Sequence, residues 1–304
     1  MRTEKVKVGK LDISYLTGGE GEPIVILHGG GEGARAWAQS AAELARYYRV
    51  YVPDLPGYGD SQSMGDSFEL AELVTFVEDF SSSLGLERFH LFGHSIGGSI
   101  ALEYALEYPH RLGRLVLVSS FGLGNRIALW IRILSAWPFI RSLGRAVQAL
   151  FRWVRRVGGQ LYRPAAFINP LPPIKMDMGR YIHSLKGQEG FLSSRLTRLE
   201  VPTLLVWGAR DSIISVHNAY AAARLIPDCQ LQVFEECGHS VYKQNISGFS
   251  EVVFRFLSQQ RPVPERPSRL PSLVRLWLGQ YPKPLTGVPA VVLLAVLLKL
   301  LRDI

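Results

Sequence analysis

Short, mostly apolar runs punctuate the first 120 residues and return after residue 200, at 23–27, 50–52, 88–92, 115–118, 203–207 and 231–234. Runs of this length without polar alternation read as strands buried on both faces. Between them the spacing turns helical: Trp37, Ala41, Leu44 and Ala45 after the first run, then 69–84, then Ile100, Leu102, Tyr104, Ala105 and Tyr108, then 217–225 and 247–257. Strands alternating with helices predict an α/β fold, a mostly parallel central sheet with helices on both faces. Ahead of it, 6–8 and 11–16 read as a β-hairpin turning at Gly9-Lys10. From Phe121 to Arg195 the alternation stops. Arginine- and tryptophan-rich helical segments broken by Pro138, Pro164, Pro170, Pro172 and Pro173 predict an inserted helical lid at 121–195, with the core made of 1–120 and 196–260. Beyond it, Pro262, Pro264, Pro267 and Pro271 make 261–304 a stiff linker followed by an apolar tail.

The chain has 304 residues, enough for one large core with an insertion or tail. Its net charge of +8 is unevenly spread: 122–176 carries eight arginines and one lysine and no acid, 261–304 seven bases against two acids, and the remainder is net −6. Two basic appendages on an acidic body imply a partner at those appendages, an anionic membrane surface, and no nucleic acid. Cys229 and Cys237 are too few for a disulfide framework and lack metal-ligand spacing. The start Met1-Arg2-Thr3-Glu4-Lys5 has charges where a secretion signal needs an apolar core. A cytoplasmic location is expected, with peripheral membrane association.

Gly93-His94-Ser95-Ile96-Gly97 fits G-x-S-x-G between the apolar run at 88–92 and a helical pattern. This context predicts a strand-turn-helix corner that strains Ser95 and pushes its hydroxyl into the open, with glycines where strand and helix close in. A helix starting at Ile96 aims its first amides where an oxyanion would form. A serine nucleophile needs a base and a carboxylate that orients it. Asp211 follows the run at 203–207 and His239 follows that at 231–234, each just past the C-terminal end of a predicted parallel strand, where open α/β sheets keep their sites. Taken singly, Asp211 reads as a helix cap and His239 as a polar loop residue; with the serine corner they make a Ser95, Asp211, His239 triad. The glycine run Gly29-Gly30-Gly31-Glu32-Gly33-Ala34 also fits a dinucleotide fingerprint, with Asp54 downstream for a ribose. That alternative leaves the triad residues unexplained. In the hydrolase reading the side-chain-free turn lets the amide of Gly30 face that of Ile96.

These pieces together resemble the α/β-hydrolase superfamily over residues 5–260: His28-Gly29-Gly30-Gly31 with Trp37, Asp54-Leu55-Pro56-Gly57-Tyr58-Gly59-Asp60-Ser61, the serine corner with Gly98, Trp207-Gly208-Ala209-Arg210-Asp211, and Gly238-His239. The loop 28–37 is similar to that of hydrolases cleaving carbon-carbon bonds in ring-fission products, which implies Gly30 and Ile96 as oxyanion donors. Those enzymes carry a tryptophan after the catalytic histidine, where this chain has Ser240, and their lids hold fewer arginines. The expectation is therefore an esterase or lipase acting on a hydrophobic ester or lipid, without metal or cofactor. A carbon-carbon hydrolase of a dienone acid is the alternative among enzymes, and a non-catalytic binding protein that of another class. His28 and Trp37 beside the oxyanion loop, and Trp130, Trp137 and Phe139 in the lid, are the substrate-binding candidates.

At about 100° per residue, Arg141, Arg145, Arg152, Arg155 and Arg156 fall on one side of a lid helix, and Leu143, Val147, Leu150, Phe151, Val154 and Val157 on the other. Such a helix covers an active site with its arginines in water, or sets them against anionic headgroups. In the tail, 285–298 is uncharged, short of the roughly 20 apolar residues that span a bilayer. Pro289 suits the first turn of a helix through 291–301. A monotopic anchor, a helix docked on protein and a true span all stay open.

Overall fold

The structure, a computed structural model, describes residues 1–65, 69–128 and 195–259. Nearly all of the expected lid, with Trp130, Trp137, Phe139 and the arginine face, and the expected linker and tail lie outside the described residues.

Among the described residues eight strands form one sheet: β1 (Arg2–Val8), β2 (Leu11–Gly18), β3 (Pro23–Leu27), β4 (Arg49–Pro53), β5 (Phe89–His94), β6 (Leu112–Val118), β7 (Thr203–Gly208) and β8 (Cys229–Phe234). Their spatial order is β1-β2-β4-β3-β5-β6-β7-β8. β2 pairs antiparallel with β1 and with β4, and every other neighbouring pair is parallel. The helices among the described residues are α1 (Ala38–Leu44), α2 (Leu70–Ser83), α3 (Ile96–Glu107), α4 (His217–Ala223), α5 (Val241–Gln244) and α6 (Ile246–Ser258).

Successive strand residues point to opposite faces, and in the middle of the sheet both faces are covered, which is why the central strands carry so little polar alternation. Val25, Leu27, Leu91, Leu115, Leu117, Leu205 and Trp207 join the core built with α2, α3 and α4. Ile24, Ile26, Phe92, Val116, Val118, Leu204 and Val206 join the one built with α1, α5 and α6. Helix α2 starts in a capping box, in which Glu69 and Glu72 each accept a backbone N–H at the helix start. The hairpin is longer than predicted, since β1 begins at Arg2. β1 is an edge strand, so charged residues such as Arg2 and Lys5 fit it although no apolar pattern marks them.

Candidate active site

β5 and α3 meet at Ser95, whose backbone sits at φ 53 and ψ −115, a conformation that costs a non-glycine residue about 1 to 3 kcal/mol. Hydrogen bonds hold it there: the Ser95 N–H donates to Val118 O at 3.0 Å, and its carbonyl accepts from Gly98 and Phe121 at 3.1 and 3.0 Å. The glycines are demanded by distance. A Cβ on Gly93 would come within 2.3 Å of the Gly97 carbonyl, and one on Gly97 within 2.5 Å of the Leu27 carbonyl. The absence of both lets α3 settle onto the end of β3 and brings the following loop to the serine: a Cβ on Gly29 would lie 3.3 Å from that of Ser95.

Asp211 follows β7 by a turn in which its own N–H donates to Gly208 O. Its carboxylate is fully engaged. Oδ1 accepts from the amides of Ile213 and Ile214, each at 2.9 Å, and Oδ2 accepts from His239 Nδ1 at 2.9 Å. Burial pushes this carboxyl up, but the His239 contact and the two amides outweigh it and hold it below the usual carboxylate range. With Nδ1–H donated to Asp211, His239 presents Nε2 as a proton acceptor. The His239 ring lies 4.8 Å, centre to centre, from that of His94, the residue before Ser95. Ser95, Asp211 and His239 thus gather at the C-terminal edge of β5, β7 and β8.

Two predicted pocket residues do other work. His28 is completely buried, its Nδ1–H donating to Gly29 O at 2.8 Å and its Nε2 accepting from the Leu55 N–H at 3.0 Å. Burial lowers its pKa, so it is a neutral clasp between two loops and has no surface for a substrate. Trp37 is equally buried, stacked on Tyr242 with ring centres 3.7 Å apart and planes 6° apart. It packs behind the His239 segment instead of lining a pocket. Asp54 also has a structural place: Oδ1 accepts from Ala34 N–H at 2.7 Å and Oδ2 from Asp60 N–H at 3.1 Å. This pins the exit of the glycine run and leaves the carboxylate no role toward a ribose.

Four residues that motif reading passes over surround the triad. Glu32, the one charged residue in His28–Gly33, accepts a hydrogen bond from Tyr242 Oη at 2.8 Å and pairs with Lys243 Nζ. Burial pushes its carboxyl up, while the hydrogen bonds from Lys243 and Tyr242 and the Lys243 charge help hold it below the usual carboxylate range. His94 donates from Nε2 to the His239 carbonyl at 3.0 Å. Burial, with His239 beside it, pushes the His94 ring down to about 3, so it stays neutral. The position of Glu32 in a glycine run was a visible signal; its partners Tyr242 and Lys243, more than 200 residues away, were not. Among the described residues no group of three or more His, Cys, Asp or Glu side chains is placed to hold a metal ion, and no helix is long and apolar enough to cross a membrane.

A family model for the alpha/beta hydrolase fold matches residues 22–246. An uncharacterised protein of Mycobacterium tuberculosis is 26% identical over 288 residues, covering 88% of this chain and 84% of its own. The 2-hydroxy-6-oxo-6-phenylhexa-2,4-dienoate hydrolase of Comamonas testosteroni is 29% identical over 277 residues, 84% of this chain and 96% of its own. Among solved structures, a bacterial membrane phospholipase A described as a virulence factor aligns with a TM-score of 0.65 at 26% identity, over 84% of this chain and 85% of its own.

Proposed function

The chain belongs to the α/β-hydrolase fold family, and on that premise we propose that it is a serine hydrolase cleaving an ester or related acyl bond of a hydrophobic substrate. What carries the reading is Ser95, held at φ 53 between β5 and α3, on the same sheet edge as a buried Asp211 bonded to His239. Ser95 Oγ attacks the acyl carbon as His239 Nε2 takes its proton. That proton passes to the departing alkoxide, and water then repeats the sequence on the acyl-enzyme, freeing the acid and restoring Ser95. The oxyanion forms between the Gly30 loop and the first turn of α3, where the N–H groups of Gly30 and Ile96 are the donors. The close approach of Gly29 to Ser95 supports this placement.

A series of p-nitrophenyl esters with graded acyl chains, assayed beside a dienone acid, tests the substrate class. Each buried CH₂ is worth about 0.8 kcal/mol, so kcat/KM should rise about fourfold per added carbon until the pocket is full. The likeness to the Comamonas testosteroni hydrolase favours a second reading, carbon-carbon cleavage of a dienone acid. A dienone acid consumed faster than every ester, with no chain-length preference, would replace the first reading with the second.

The same proposal includes peripheral attachment to an anionic membrane, supported by the basic lid segment, the apolar tail and the likeness to a membrane phospholipase A. Burying five or six tail side chains among 291–301, at about 1.5 to 3 kcal/mol each, gives on the order of 10 kcal/mol that salt does not weaken. Each lid arginine near the surface adds about 1 kcal/mol, which salt removes. The full-length chain should therefore float with liposomes in 1 M salt (~3 Å screening length). With Leu293→Asp and Leu297→Asp, flotation should need anionic lipid and low salt. Equal behaviour of the two proteins would remove the tail from the proposal.

A further inference from the structure

Glu32 lies two residues beyond Gly30, and three separate segments converge on its carboxylate. The first is its own loop. The second is the short helix α5, two residues past His239: Tyr242 Oη donates to Glu32 Oε2 at 2.8 Å and Lys243 Nζ pairs with Oε1. The third is the serine corner, which comes close without a hydrogen bond: His94 Nδ1 stands 3.8 Å from Glu32 Oε2 while its Nε2 donates to the His239 carbonyl. Tyr242 itself is immobilised by stacking on Trp37 and by accepting a hydrogen bond from Ser40 Oγ on its carbonyl. It also meets the edge of the His94 ring, with centres 4.9 Å apart.

A carboxylate on an open surface paired to one lysine would matter little. The Glu32 side chain is 24% exposed and bridges residues more than 200 positions apart. Its other end is tied down as well, since Asp54 holds the Ala34 amide at the exit of the same loop. The loop is therefore clamped at Ala34 by one acid and at α5 by another.

We propose that Glu32 is a positioning residue that holds the Gly30 oxyanion loop in register with the His239 segment through Tyr242 and Lys243. The proposal rests on the serine-hydrolase reading. In the transition state Ser95 gives up its proton to His239 while the carbonyl oxygen reaches the loop amide, so both must be in place at once. A loosened loop misplaces these groups without removing any of them, which lowers kcat more than it raises KM.

The experiment compares wild type, Glu32→Ala, Glu32→Gln and Tyr242→Phe in the full chain, by ester kinetics, rate of fluorophosphonate labelling, and thermal unfolding. Glu32→Ala should lower kcat and the labelling rate together by about 10- to 100-fold, as a misplacement of about 1 Å does, with KM changed less than about threefold. Glu32→Gln, whose amide oxygen still accepts from Tyr242, should recover most of the loss. Tyr242→Phe should lower kcat, and combined with Glu32→Ala it should add little. Should Glu32→Ala fail to fold, Glu32→Gln and Tyr242→Phe decide by the same kcat-against-KM pattern. Wild-type rates in folded variants, or losses confined to KM or to thermal stability, overturn the positioning role alone. A wild-type protein that neither labels nor hydrolyses overturns the serine-hydrolase reading, and this proposal with it.

Discussion

Ser95→Ala lowers turnover of an activated ester by about 10⁴ to 10⁶, measured as kcat/KM against the wild type. The rate that remains comes from the oxyanion donors and substrate binding. His239→Ala should fall by a similar factor, and the double variant should be no slower than either single one, because the pair acts as a unit. The fold should survive in Ser95→Ala. Its backbone is held at φ 53 by hydrogen bonds from Gly98 and Phe121 to its carbonyl and from its amide to Val118, none of which involve the hydroxyl.

Asp211→Asn should cost about 10⁴ in kcat, and the structure says which way the amide turns. The Oδ1 position faces two N–H donors, Ile213 and Ile214, so the asparagine oxygen goes there. Its NH₂ then faces His239 Nδ1, where the carboxylate accepted a hydrogen bond at 2.9 Å. A donor at that place requires a bare Nδ1, which moves the imidazole proton to Nε2 and leaves nothing to accept the proton of Ser95. Asp211→Ala, with no such wrong-handed donor, should lose no more than Asp211→Asn. Kinetics of the two variants side by side check this, and a near-wild-type Asp211→Asn would mean that Asp211 only closes its own turn.

The serine corner was legible because its causes are local: an apolar run, two glycines at fixed offsets and a helical pattern within about fifteen residues. Asp211 and His239 were legible through their place after buried strands, and both are near the ends of β7 and β8. His28 and Trp37 were misread for a common reason. Closeness to the glycine loop in sequence suggested a pocket wall, whereas their burial depends on Leu55 and on Tyr242, partners that no local pattern points to. The four-residue α5 is too short to show helical periodicity, yet it carries the groups that hold Glu32. The edge strand β1 hid its first residues behind charges, since a strand with one open side needs no continuous apolar pattern.

The central claim, that Ser95 is a nucleophile activated by His239, is tested most directly by reacting the full-length protein with a fluorophosphonate and locating the adduct by mass spectrometry. The account predicts one adduct, on Ser95 in the peptide bounded by Arg88 and Arg111, with ester hydrolysis lost in proportion to labelling. Adducts only elsewhere, or a protein that keeps its activity once Ser95 is fully labelled, would contradict it.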